Sequence, residues 1–161
     1  MITLHHLEYS QSFRILWLLE EIGAPYELKI YQRDAETRLA PSEYKALSPL
    51  GTAPVITDEN GLVLAESNAV IEYILDAHPE SPLRPAPGDA ARVGYLFWFH
   101  AGVGSLMPMQ FFNGLLTMMK ARSPALVRSV IGIATDKVRE MLVAPRLKVI
   151  FDKLESDLGR H

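Results

Sequence analysis

Residues 78–88 read HPESPLRPAPG, with prolines at 79, 82, 85 and 87. Each proline fixes its φ near about −65° and lacks an N–H, so neither a helix nor a central strand runs through this segment. It is a stiff spacer, and it predicts a boundary between two domains. Residues 1–78 form the first, 79–88 the linker and 89–161 the second. Hydrophobic patterning changes across the boundary. Upstream, stretches of period 2 and period 3.6 alternate; downstream, every apolar pattern is helical.

Ile2–Leu7 (ITLHHL) predicts a strand, and Ser10, Gln11 and Ser12 follow as turn or N-cap residues. Phe13, Ile15, Leu16, Leu18, Leu19 and Ile22 then repeat near 3.6, so a helix is expected over about 12–22. Gly23 and Pro25 stop it. Tyr26–Tyr31 (YELKIY) alternates as a second strand. The three elements make a βαβ unit with parallel strands and a right-handed crossover. Pro41–Leu47 has room for one short helix. Val55–Thr57 and Leu62–Ala65 flank the turn Asp58-Glu59-Asn60-Gly61, a hairpin signature. Ser67 is placed to cap a helix with apolar positions Val70, Ile71, Ile74 and Leu75. Beyond the linker, Asp89 can cap a helix reaching about Met119 with a kink at Pro108. A second helix restarts at Ser123-Pro124 and runs to about Leu158, bent at Pro145.

Composition narrows the function. A net charge of −3 and a pI near 5.9 leave no basic face for nucleic acid. With no cysteine there is no disulfide scaffold, thiolate metal site or catalytic thiol. His5, His6, His78, His100 and His161 lack metal-ligand spacing, and adjacent His5 and His6 point to opposite faces of a strand. Val93–Met119 contains no Lys, Arg, Asp or Glu, but His100, Pro108, Gln110, Asn113 and four glycines interrupt it. It reads as a buried helix of a soluble protein rather than a membrane span. Met1–Ser10 lacks the basic and apolar regions of a secretory signal.

Three short motifs carry the chemistry. Ser10-Gln11-Ser12-Phe13-Arg14 stands before the first helix, Pro49-Leu50-Gly51-Thr52-Ala53-Pro54-Val55 leads into the third strand, and Ala65-Glu66-Ser67-Asn68-Ala69-Val70 opens the third helix. Read by themselves, Ser10, Ser12 and Ser67 are N-cap candidates, and Pro54 starts an edge strand. A helix N-terminus also favours an anion, so Ser67 suits a carboxylate and the adjacent Glu66 an ammonium group. Taken in order, the motifs resemble the serine-type glutathione S-transferases of the theta-like and related bacterial and fungal branches. The likeness covers residues 1 to about 80, and Leu16-Trp17-Leu18-Leu19-Glu20-Glu21 extends it. It implies a thioredoxin-like α/β domain (βαβ-ββα) followed by an all-α domain.

The resemblance also implies roles. Ala53-Pro54 would be a cis peptide, offering the Ala53 backbone to glutathione as an added strand. Glu66 and Ser67 would hold its γ-glutamyl end, with Thr52 beside the strand. Lys45, Arg38 or Arg14 would meet the glycyl carboxylate, Lys45 first. Ser10 would donate to the sulfur, with Tyr9 and Ser12 as rival hydroxyls. Such a bond, at a helix N-terminus, lowers a thiol from about 8.5 to nearer 6–7 and makes the thiolate nucleophile. Tyr95, Trp98, Met107 and Phe111 would line an apolar electrophile cleft between the domains. The implied activity joins glutathione, a cosubstrate rather than a resident cofactor, to an apolar electrophile or a peroxide oxygen. A detoxifying homodimer in the cytoplasm, without metal, membrane or nucleic acid, completes the expectation.

Two departures stand against it. Thr52 replaces an expected Lys or Gln and Ser48 an expected His, which weakens the hold on the peptide. The helical part is shorter than the family's, so dimerisation, a fragment or a naturally short protein all remain open. A glutathione- or ligand-binding protein without turnover, or an interaction module of the same fold, are the alternatives.

Overall fold

The computed structural model describes residues 1–159. The chain divides into two compact units, Met1–Asp89 and Ala90–His161. The first runs β1 (Ile2–Leu7), α1 (Ser12–Ile22), β2 (Tyr26–Tyr31), α2 (Ser42–Lys45), β3 (Val55–Asp58), β4 (Val63–Ala65) and α3 (Ser67–Ala77). Its four strands lie in the order β2-β1-β3-β4. β1 and β2 are parallel, whereas β3 is antiparallel to both β1 and β4. This is the βαβ-ββα, thioredoxin-like arrangement.

Alternation along β1 buries both faces of the sheet. Leu4 joins Ile15, Leu18, Leu19, Ile56, Val70, Ile74 and Leu75 in the main core under α1 and α3. Leu7 points to the other face, with Tyr31, Tyr44 and Val55. α1 ends where the glycine signal places it. Gly23 is left-handed (φ 66°), its N–H bonds the Glu20 carbonyl at 3.1 Å, and the Ala24 N–H bonds Leu19 at 3.0 Å. The pair forms a Schellman cap. Phe13 departs from expectation: it is 68% exposed, because Ile15, Leu18 and Leu19 already fill the stripe facing the sheet. Residues 79–88 count with the first unit. Arg84 folds back onto α3, its Nη1 3.0 Å from Glu72 and 2.5 Å from Asp76, while Nη2 donates to the Leu75 carbonyl at 3.3 Å.

His5 sits in a buried polar cluster on the Leu7 face. Its ring nitrogens lie 2.9 Å from the Tyr31 hydroxyl and 2.9 Å from Thr57 Oγ1, and Tyr44 donates to its carbonyl at 3.3 Å. Burial lowers the His5 pKa, with Lys29 adding to the effect. Burial also pushes the Tyr44 phenol up to about 12. The unfolded chain therefore takes up a proton at His5 before the folded chain does. The His5 contribution to stability is complete above about 6.5, the unfolded value, and is lost as pH falls through the lowered folded value. Thermal unfolding measured between pH 7.5 and about 5 should show this loss, and His5→Gln should flatten that part of the curve.

The second unit is helical: α4 (Arg92–Ala101), α5 (Met107–Arg122), α6 (Arg128–Val138) and α7 (Ala144–Leu158). The expected long helices are each interrupted by one wide π turn, at Gly102–Leu106 and Arg139–Val143. In both places a proline follows in the first helical turn, Pro108 or Pro145. A proline ring collides with the carbonyl four residues back and leaves it without a donor. Widening the preceding turn relieves that collision, so the prolines reset the register rather than bend a regular helix. α4 starts at Arg92 with Ala91, not Asp89, at the N-cap position. Among the described residues no helix is long and apolar enough to cross a membrane.

Candidate active site

Strand register decides where the motif residues meet. His5 of β1 pairs with Val55 of β3, and Val55 pairs with Ala65 of β4. Leu7 of β1 pairs with Tyr31 of β2. The end of β1, the end of β2, the start of β3 and the end of β4 therefore lie along one end of the sheet. Ser10 follows β1, Arg38 follows β2, Ala53-Pro54 precedes β3, and Glu66-Ser67 follows β4. α1 and α3 both begin at this end, so their free amides and positive dipole ends face it.

The Ala53-Pro54 peptide is cis, Pro54 is buried, and Ala53 packs against the cluster of Leu7, Tyr31, Tyr44 and Val55. Thr52 is exposed. At the next corner Glu66 adopts φ 75° and ψ 121° and occupies the N-cap position of α3. Ser67 is thus the first helical residue rather than the cap, and it is buried (8% exposed). A non-glycine residue at positive φ outside the left-handed helical well costs about 1–3 kcal/mol and tends to persist at binding sites. Here it turns the chain sharply from β4 into α3, and the Glu66 side chain is exposed.

Ser10 lies in the bend before α1. Its hydroxyl donates to the Leu7 carbonyl at 2.6 Å, lies 2.7 Å from Ser12 Oγ, and accepts the Ser12 N–H at 3.2 Å. Ser12 is fully buried behind it. Tyr9, left-handed at φ 50° and 81% exposed, carries the Arg38 guanidinium over its ring at 5.2 Å. The three hydroxyls thus separate: Ser10 half-buried, Ser12 sealed in, Tyr9 in solvent. The loop carrying Arg38 is tied down by Asp34, whose Oδ1 accepts the Glu36 and Thr37 N–H groups and the Thr37 hydroxyl. Those bonds, Thr37 foremost, hold the Asp34 carboxyl below its usual range. Arg33, which the motifs did not point to, spans the loop. It donates through Nε to the Glu8 carbonyl and through Nη1 to Arg38, each at 3.0 Å. Lys45 is the last residue of the one-turn α2 and lies exposed beside Gly51.

Tyr95, Trp98, Met107 and Phe111 lie in the second unit. Tyr95 stacks on Phe99 at 5.4 Å under Arg92. Trp98 donates from its indole to Asp157 of α7 at 2.8 Å, with Lys153 over its ring, so it ties two helices together. Met107 is half-buried and Phe111 69% exposed. A groove of about 540 Å³ in this unit runs instead past Met109, Val149 and Ile150. Among the described residues no group of acidic or histidine side chains is placed to hold a metal. His161 lies outside them.

Residues 10–77 match the family model for the glutathione S-transferase N-terminal domain. Over its whole length the chain is 33% identical to glutathione S-transferase 3 of Schizosaccharomyces pombe, of which it spans 65%. It is 30% identical to glutathione S-transferase 1 of Saccharomyces cerevisiae, spanning 71% of that protein. The crystal structure of a glutathione S-transferase from Actinobacillus pleuropneumoniae superposes with a TM-score of 0.63 at 39% identity. That match takes in 84% of this chain and 61% of that one.

Proposed function

This chain belongs to the glutathione S-transferase family, and on that premise we propose that it binds glutathione at the sheet end and joins it through its sulfur to an apolar electrophile. The observation that supports this most is the register that brings Ser10, Ala53 and Glu66-Ser67 to the same end. In this reading the two ends of the tripeptide meet groups of matching charge. The γ-glutamyl carboxylate sits at the α3 amides and the Ser67 hydroxyl, where the helix dipole favours an anion. Its ammonium faces the Glu66 carboxylate. The Ala53 backbone pairs with the cysteinyl residue, beside Thr52 and Pro54, and Lys45 or Arg38 meets the glycyl carboxylate.

Ser10 then acts on sulfur. Its proton turns from the Leu7 carbonyl to the incoming sulfur, which loses its own proton to solvent and is held as the thiolate. The thiolate forms a bond to an electrophilic carbon, and the leaving group departs with the electron pair. Tyr95, Trp98, Met107 and Phe111 are the residues proposed to receive the electrophile. The reducing cytoplasm, where glutathione stays a thiol, is the proposed setting, with a homodimer as the working form.

One observation favours a second reading, glutathione binding without turnover: the Ser10 hydroxyl is already committed to Leu7 at 2.6 Å. The variant Ser10→Ala decides between them. Catalysis by Ser10 predicts that conjugation of a standard aromatic electrophile falls at least about tenfold, the effect of one lost hydrogen bond to a charged group. Calorimetric glutathione affinity should hardly change. Wild-type protein that binds glutathione and conjugates nothing would establish the second reading.

A further inference from the structure

His6 stands at the far end of a line of hydrogen bonds that passes through the buried Ser12 and finishes at Ser10. It lies on the Leu4 side of β1, the side that carries α1, and its Nδ1 is 3.0 Å from Ser12 Oγ. Ser12 Oγ accepts the Leu7 N–H at 3.2 Å, is placed to donate to the Leu7 carbonyl at 3.2 Å, and is 2.7 Å from Ser10 Oγ. Ser10 Oγ in turn is 2.6 Å from that carbonyl and takes the Ser12 N–H. Ser12 is wholly buried, so water does not substitute for a missing link there.

Each hydroxyl has one proton, and this gives the line a direction. Suppose Nδ1 is bare. Ser12 then donates to it, and the 2.7 Å contact between the serines has to be filled by the Ser10 proton. Ser10 is left with only lone pairs to show a ligand, and lone pairs repel a thiolate. Suppose instead that Nδ1 carries a proton. It donates to Ser12 Oγ, Ser12 donates to Ser10 Oγ at 2.7 Å in preference to the longer 3.2 Å contact with the Leu7 carbonyl, and the Ser10 proton is released from the contact between the serines. It rests on the Leu7 carbonyl and is available to sulfur. Linked hydroxyls polarise one another, so the released proton is also the more acidic one.

We propose that His6 is a positioning residue: its Nδ1–H, relayed through Ser12, sets the Ser10 hydroxyl as the donor to the glutathione sulfur. The inference rests on the glutathione reading above and adds to it the group that fixes the proton's direction. His6 touches no substrate. Its effect is on the state of the bound sulfur and not on the grip on the peptide.

The test uses the full chain with glutathione, comparing wild type, His6→Leu, His6→Asn and Ser10→Ala. The readouts are calorimetric affinity and the thiolate-to-thiol ratio of bound glutathione at neutral pH, taken from ultraviolet difference absorbance. His6→Leu should lower that ratio about fivefold, the effect of one neutral hydrogen bond, with affinity unchanged. His6→Asn, whose amide N–H stands near the place of Nδ1–H, should restore it. Nitrogen NMR of the wild-type imidazole, free of ligand, should find Nδ1 protonated, and it decides the matter even if His6→Leu fails to fold. A bare Nδ1 overturns the relay. So does a wild-type ratio in His6→Leu while Ser10→Ala is low, and that result leaves the glutathione site standing. Wild type that binds no glutathione overturns the site and the relay together.

Discussion

Ser67→Asp is expected to weaken glutathione binding about 100-fold while leaving the unfolding midpoint within a few degrees of wild type. The two effects separate because the two jobs of residue 67 have opposite charge requirements. For the helix, a carboxylate in the first turn of α3 gains about 0.3–1 kcal/mol through the dipole and the free amides, which offsets part of the cost of desolvating it at the buried Ser67 position. For the ligand, the same carboxylate occupies the place of the γ-glutamyl carboxylate. The hydroxyl donor is lost, at about 1.5–3 kcal/mol for a bond to a charged group, and repulsion is added. A total near 3 kcal/mol is about a hundredfold in Kd. Ser67→Ala, which removes the donor without the repulsion, should fall between. The measurement is titration calorimetry beside a thermal melt. Equal affinity of Ser67→Asp and wild type would mean that no anion is held at the start of α3.

Tyr44→Ala should cost about 3–5 kcal/mol of stability, the range for removing a large aromatic ring from a packed core. Tyr44 is fully buried, meets Tyr31 edge-on at 5.0 Å, and carries the one-turn helix α2 onto the sheet. A four-residue helix has almost no stability of its own, so this side chain is what holds it in place. Its cluster includes Ala53 and Ala65, the residues flanking the cis proline and Glu66. Glutathione affinity should therefore drop along with the denaturation midpoint. Tyr44→Phe keeps the ring and loses the hydroxyl with its bonds to the His5 carbonyl and the Val55 backbone, and should cost about 1 kcal/mol. If the alanine variant unfolds at the wild-type denaturant concentration, the second core cluster is not a support of the site.

How much of this was legible varies by element. The strands and α1 could be read closely, since alternation in ITLHHL and YELKIY and the glycine after Ile22 are local signals with local causes. Phe13 could not, because period 3.6 marks an apolar stripe without saying how much of it the sheet has room to cover. The helical half was read in outline. Pro108 and Pro145 announced a disturbance, but a kink and a π turn answer the same clash, and the proline by itself does not say which forms. In the site, Ser10, Ala53, Glu66 and Ser67 stood out through their motifs. His6 did not, because a histidine on a strand carries no mark of what lies opposite. The spacing of Ser10 and Ser12 before a helix was the nearest signal, and it spoke only of capping.

The amino-acid order alone determined which segments become strands and helices upstream of Pro79 and which residue types are on hand for an anion, an ammonium and a sulfur. Those outcomes depend on neighbours within a turn or two along the chain. Only the tertiary structure decided that Ser12 is sealed behind Ser10, that His6 reaches it, that Glu66 is forced to positive φ, and that residues from 10 to 67 share one sheet end. These depend on strand pairing between distant segments, where a shift of one residue would turn every side chain to the other face.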